Sequence, residues 1–183
     1  MLGGYAHRVT GGPETDTDLR IVMSTDPGPS AAIIEEVAAW GEATGYPSWI
    51  PGSFTGPESV GISRLRADVA SGGLYLMWRG ERAVGTLSLL ENDPLFWPGA
   101  GDEAMYLHRF AVRRGDAGAG RQAVRWCIGE ARRRGRSFVR LDCLAGNPGI
   151  RRYYESYGFV QVDGKLVNGT QYSLYQVAVT PPA

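Results

Sequence analysis

Apolar residues follow two rhythms along the chain. Short runs rich in β-branched and aromatic residues predict strands at LRIVMS (19–24), LYLMW (74–78), AVGTLSLLE (83–91), AMYLHRFAV (104–112), FVRLDCLA (138–145), FVQVDG (159–164) and QYSLYQVAV (171–179). The spacing of Ile33, Ile34, Val37 and Trp40 predicts a helix over 30–43, and a shorter helix is expected around 61–70. Val124, Cys127, Ile128 and Ala131 form the buried stripe of the clearest helix, near 118–134, with Gly135 suited to its C-terminal cap. In NPGIRRYYESYG, Asn147 reads as an N-cap, Pro148 as first-turn proline and Gly158 as terminator of a short helix.

The turn RGER makes 74–91 a β-hairpin. Residues 45–59 hold three prolines and three aromatics, which reads as a pocket-forming loop, and NDPLFWPGAGD (92–102) breaks the pattern again. Residues 1–18 lack an apolar period and are expected to be a flexible tail, leaving 19–183 as one domain. The order βα(α)βββαβαββ implies an α/β fold, a mixed sheet of about seven strands with helices on both faces.

Composition narrows the function. Nineteen basic and nineteen acidic residues cancel, so no global field favours nucleic acid or an anionic membrane. Arg132 to Arg134 fall where a helix C-terminus favours cations, which accounts for them without a nucleic-acid patch. Two cysteines, Cys127 and Cys143, give neither a disulfide framework nor a zinc motif, and no metal is expected. With no apolar leader and no long apolar span, a reduced cytoplasm is the expected compartment.

The segment FAV, RRGDAGAG, RQAVRW is strand, glycine-rich loop, helix. Main-chain N–H groups freed there make an anion cradle, and the helix dipole adds about half a positive charge. Gly118 and Gly120 alone are weak evidence, because about four G-x-G triplets are expected by chance in so glycine-rich a chain. No G-K-[ST] follows, and position 123 is alanine where G-x-G-x-x-G needs glycine. A phosphate-bearing cofactor of another kind is implied.

LHRFAV, RRGDAGAGRQAV and NPGIRRYYESYGF resemble the core motifs of the GNAT superfamily of N-acetyltransferases, with Asn147, Tyr154, Gly158 and Phe159 all at family spacing. One departure is that the loop position usually held by Gln or Arg is Gly115, so a side-chain contact to pyrophosphate is lost or passes to Arg114. The resemblance implies a mostly antiparallel sheet and acetyl-CoA as cofactor. It implies that Phe110, Ala111 and Val112 offer main-chain groups to the pantetheine arm. Gly115, Asp116, Ala117, Gly118, Ala119 and Gly120 would wrap the pyrophosphate, and Asn147 would bond a pantetheine amide. Tyr154 would face the thioester sulfur as general acid.

An alkyl amine, with pKa about 10, must lose a proton before it attacks a thioester. By period two, Tyr106, His108, Phe110 and Val112 share one face of the strand, with Leu107 and Arg109 on the other. In the similar arylalkylamine N-acetyltransferases histidines fall at Tyr106 and His108, and in histone-type members a glutamate falls at Tyr106. His108 is therefore the favoured base, with an ordinary pKa near neutrality. Glu91, Asp93 and Asp102 compete with it, and Asp142 reads as a structural partner for an arginine.

Acceptor recognition is expected from 45–55 and 92–101, chiefly Trp49, Glu91, Asp93 and Trp97, with Tyr46, Phe54 and Phe96 nearby. Aromatics and carboxylates together suit a small primary amine, acetylated by direct transfer in a ternary complex. The alternatives are a peptide or protein amine and a non-catalytic acyl-CoA-binding module. Monomer and homodimer are both compatible with the sequence.

Overall fold

The structure is a computed structural model that describes residues 19–45, 48–99, 101 and 103–179. The expected tail, 1–18, lies outside the described residues. The strands are β1 (Arg20–Met23), β2 (Leu74–Arg79), β3 (Arg82–Leu90), β4 (Ala104–Val112), β5 (Phe138–Leu144), β6 (Val160–Val167) and β7 (Thr170–Ala178). They form one sheet in the order β1-β2-β3-β4-β5-β7-β6. Only β4 and β5 run parallel; every other pair is antiparallel. The helices are α1 (Gly28–Ala43), α2 (Val60–Ala70), α3 (Ala119–Arg133) and α4 (Pro148–Glu155).

Alternation along the strands sorts the core into two layers. Tyr75, Met77, Leu87, Leu89, Met105 and Leu107 pack with Ala123, Val124 and Cys127 of α3 and Tyr154 of α4. Leu74 and Leu76 point the other way, onto Ile33 and Ile34 of α1 and Leu65 of α2. The seven-stranded sheet with helices on both faces is the architecture the sequence implies.

Each helix start has its own cause. Ser59 caps α2, accepting from the Ile62 N–H at 3.2 Å, and Asn147 caps α4, its Oδ1 accepting from Gly149 and Ile150 at 3.1 Å. By contrast, α3 opens on Gly118 in the left-handed region, φ 78°, with no side-chain cap. Its end is tied by Arg133 and Arg134, which bond Glu130 at 2.7 Å, and by Gly135 at φ 69°. The arginine run is therefore a helix terminus. The proline-rich loop after α1 is fastened to it: Glu35 accepts from the N–H groups of Gly52 and Phe54 at 2.7 and 2.6 Å.

Candidate active site

The parallel strands β4 and β5 pair only at Ala104–Leu107 with Phe138–Leu141. Beyond Leu107 the main chain of β4 keeps β3 on one side and, among the described residues, has no strand on the other. A gap thus opens between residues 108–112 and the end of β5, leading toward the 113–118 loop.

A β-bulge shapes the rim of this gap. The β3–β4 register shifts between Thr86 and Ser88, which pair with Ala111 and His108. Arg109 takes φ 47°, a conformation rare for a non-glycine residue. The extra residue corrects the period-two assignment of faces: Arg109 joins His108 over α2, while Phe110 and Val112 turn into the α3/α4 layer beside Leu107. Arg109 is held there by a bidentate pair with buried Asp68, Nε to Oδ2 at 2.5 Å and Nη2 to Oδ1 at 2.6 Å. Ser88 donates to the same carboxylate.

His108 lies at the mouth of the gap between two carboxylates. Its Nε2 is 3.2 Å from Asp93 Oδ2 and its Nδ1 is 3.4 Å from Asp142 Oδ1. Burial alone would lower the imidazole pKa, but Asp142 and Asp93 outweigh it and raise the value to about 9. The expectation of an ordinary value near neutrality gives way to an imidazole that rests protonated. Asp93 is subject to the converse balance: burial opposes its charge, yet His108 and the N–H of Phe96 hold its carboxyl below the usual range. Asp142 thus meets a histidine where the sequence suggested an arginine.

The 92–99 segment roofs this face. Asp93 accepts from the Phe96 N–H at 3.1 Å and, through its carbonyl, from Trp97 at 2.8 Å. The Trp97 ring is 6.3 Å from Tyr106, and the Arg140 guanidinium stacks 4.7 Å from it.

Tyr154 lies on the opposite face. It is buried in the α3/α4 layer with its ring 5.7 Å from Phe159 and 5.4 Å from Tyr153. Burial, with smaller contributions from Tyr153, Cys143 and Asp142, pushes the phenol well above its ordinary pKa, so it stays a proton donor. Burial likewise raises Cys143 to about 12 and Cys127 further still, which leaves neither thiol nucleophilic.

At the far end of the gap, Gly115 and Gly118 adopt φ 86° and 78°, and the first turn of α3 has no side-chain cap, its Ala119 N–H turning back onto the Asp116 carbonyl at 3.2 Å. Gly120 is required by close approach: a Cβ there would collide with the Tyr153 hydroxyl and lie 3.7 Å from Phe110. Gly120→Ala should therefore cost about 1–3 kcal/mol, as overpacking does, readable by urea unfolding. Tyr153→Phe in the same chain should recover part of that loss.

Other expected site residues are dispersed. Glu91 is exposed and faces Arg134 and Arg136 at 3.1 and 3.6 Å, away from His108. Trp49 and Phe54 pack on the α1/α2 layer. Asn147 spends its Oδ1 on capping α4 and keeps its amide NH₂ to donate. Asp116 is buried with Oδ1 on Arg82 at 2.6 Å, a pairing the sequence did not suggest. Ala119 is buried, and Ala117 engages Arg79 through its carbonyl. Tyr46 and Asp102 lie outside the described residues. A cleft of about 430 Å³ runs between Leu144, Gly146 and Asn147 on one side and Gly169 of the β6–β7 turn with Thr170 and Gln171 of β7 on the other.

Sequence reasoning passed over Asp68, Ser88 and Arg109. Ser88 and Arg109 interrupt largely apolar strands, whereas Asp68 is one of several polar residues on α2 and carries no signal of its own.

Residues 37–159 match the model of the acetyltransferase (GNAT) family, and the chain belongs to that family. It is 26% identical over 155 residues to YesJ, an uncharacterized N-acetyltransferase of Bacillus subtilis, covering 81% of this chain and 82% of that one. A GNAT-family acetyltransferase of Listeria monocytogenes shares the fold with TM-score 0.67 at 20% identity, over 87% of this chain and 94% of that one. YncA of Salmonella typhimurium, solved with its cofactor acetyl-CoA, aligns with TM-score 0.58 at 17% identity over 91% and 96%. The protein is thus an acyltransferase of the GNAT class. Among the described residues no helix is long and apolar enough to cross a membrane.

Proposed function

We propose that this protein transfers the acetyl group of acetyl-CoA directly to a primary amine of a small cationic molecule. The carrying observation is the gap beside β4, which has an uncapped glycine turn at one end and a carboxylate-flanked histidine at its mouth. The main chain of Phe110, Ala111 and Val112, which β5 does not pair, suits an extended pantetheine arm, paired like an added strand. The loop from Gly115 to Gly120 suits the diphosphate. The Asn147 amide borders the same gap and would donate to a pantetheine carbonyl.

The acceptor reading rests on charge and size. Asp93 and Asp142 are largely buried beside His108, and two buried carboxylates favour a cation. A cleft past the end of β5, lined by Leu144, Asn147 and Gln171, has the volume of small-ligand pockets. His108 would take the proton that the attacking nitrogen sheds, with Asp93 and Asp142 positioning the ring. Trp97 would lie beside the acceptor, while Glu91 and Trp49 stand apart from it. A main-chain N–H near the bulge would meet the oxyanion, and Tyr154 would protonate the departing thiolate.

Release of free thiol from acetyl-CoA across a panel of small amines tests this function: turnover with cationic amines is expected. Binding without turnover on any amine would leave a non-catalytic module. A thiol leaves readily, since its own pKa is near 8.5. Tyr154→Phe should therefore slow kcat by only about 10- to 100-fold, at the low end of acid catalysis, with acetyl-CoA affinity intact. Unchanged kcat would remove Tyr154 from the acid role.

A further inference from the structure

The β2–β3 hairpin meets the glycine loop through two arginines that belong to neither strand gap nor histidine site. Arg82 Nη2 lies 2.6 Å from Asp116 Oδ1. Arg79 Nη2 donates to the Ala117 carbonyl at 2.8 Å. Asp116 has only 3% of its side chain exposed, and among the described residues its Oδ2 and the Arg79 Nε are buried without hydrogen-bond partners.

A carboxylate is an odd residue to bury in a loop that must receive a dianion. At that range like charges repel with little screening unless a cation neutralises one of them. Arg82 is the cation bonded to Asp116. A carbonyl aimed at the phosphates would also be unfavourable, though less so than a carboxylate, and Arg79 engages the one immediately before Gly118, where α3 begins. Neither arginine comes from the loop itself, so a motif centred on 113–120 does not contain them.

We propose that Arg79 and Arg82 are positioning residues for the diphosphate: Arg82 cancels the buried Asp116 charge and Arg79 fixes the Ala117 carbonyl, so the loop meets the anion with its N–H groups. This rests on the reading of Gly115 to Gly120 as the diphosphate cradle. Exchanging a side chain on a hairpin then alters cofactor affinity through Asp116 and Ala117, with no contact to the acetyl group.

Calorimetric titration with CoA tests the arrangement, each variant first checked for an unchanged melting transition. Arg82→Gln should weaken CoA about tenfold, because Arg82 is 59% exposed but Asp116, 3% exposed, would be left uncompensated beside the anion. Asp116→Asn added to Arg82→Gln should return affinity to within about threefold of the parent, because the uncompensated charge is gone. Arg79→Gln should weaken CoA by a smaller factor that Asp116→Asn does not repair. Undiminished affinity in Arg82→Gln, or failure of the double variant to recover, would overturn the proposal; the unchanged melting transition keeps a general loss of stability from producing the same pattern.

Gly115→Asp compared with Gly115→Asn keeps the two failures distinct. Both place the same shape at φ 86° and differ only in charge. If this pair binds CoA equally, the cradle reading itself fails. If it separates while Arg82→Gln is silent, only the role of the hairpin fails.

Discussion

Replacing Asp68 by alanine should destabilise the protein by about 3–5 kcal/mol, the loss expected when one partner of a buried ion pair is removed. Its carboxylate takes both Arg109 bonds and the Ser88 hydroxyl, and the two charged side chains are only 15% and 5% exposed. The alanine variant leaves a guanidinium buried with no acceptor of comparable strength. It also frees Arg109 from φ 47°, a strain of about 1–3 kcal/mol that persists only while its surroundings enforce it. Relaxation of the bulge would slide the outer half of β4 by one residue and turn Phe110 and Val112 out of the core. Equilibrium unfolding in urea measures the loss; a change below about 1 kcal/mol would show that the bulge does not depend on this pair. The double variant Asp68→Leu, Arg109→Met separates charge from shape. It removes both ions and should be markedly more stable than Asp68→Ala, because no buried charge remains unpaired.

This network marks the boundary of what the sequence made legible. Strand and helix order followed from periodicity, because each element buries one face and its apolar residues repeat accordingly. The loop at 113–118 was legible for a similar reason: glycines before an amphipathic helix have few structural uses other than a left-handed turn. The side on which Phe110 and Val112 project was not. Alternation assigns faces only while the register is unbroken, and one extra residue at Arg109 reverses every side chain after it. What selects the bulge is a partner 41 residues earlier, on α2, and no local pattern contains that information. The same holds for Asp142. On β5 it looks like any strand carboxylate, and it acquires meaning only because the parallel pairing with β4 ends one residue earlier, opposite His108.

That juxtaposition gives the largest expected effect on activity. In the free protein His108 has a pKa of about 9, so at pH 7 only about one molecule in a hundred carries the neutral imidazole that can accept a proton. The logarithm of kcat/KM should therefore rise with pH and level off near 9. An acceptor entering as an ammonium ion shares Asp93 and Asp142 with the imidazolium. Its own positive charge lowers the histidine pKa, so the rising limb of kcat should lie at lower pH than that of kcat/KM. Asp142→Asn removes the first of the two carboxylates that raise the value; the ring should then titrate closer to its ordinary 6.5, and the kcat/KM limb should move to lower pH. His108→Ala should lower kcat by about 10²- to 10⁴-fold near neutrality, with partial recovery as rising pH deprotonates the amine unaided. The stability of the fold moves with the opposite sign. A pKa raised from 6.5 to about 9 contributes stability that is complete below pH 6.5 and lost as pH climbs through 9, worth about 3 kcal/mol at most, and Asp142→Asn should flatten that slope. A kcat/KM limb that stays fixed in Asp142→Asn while the stability slope flattens would assign the titration in catalysis to a group other than His108.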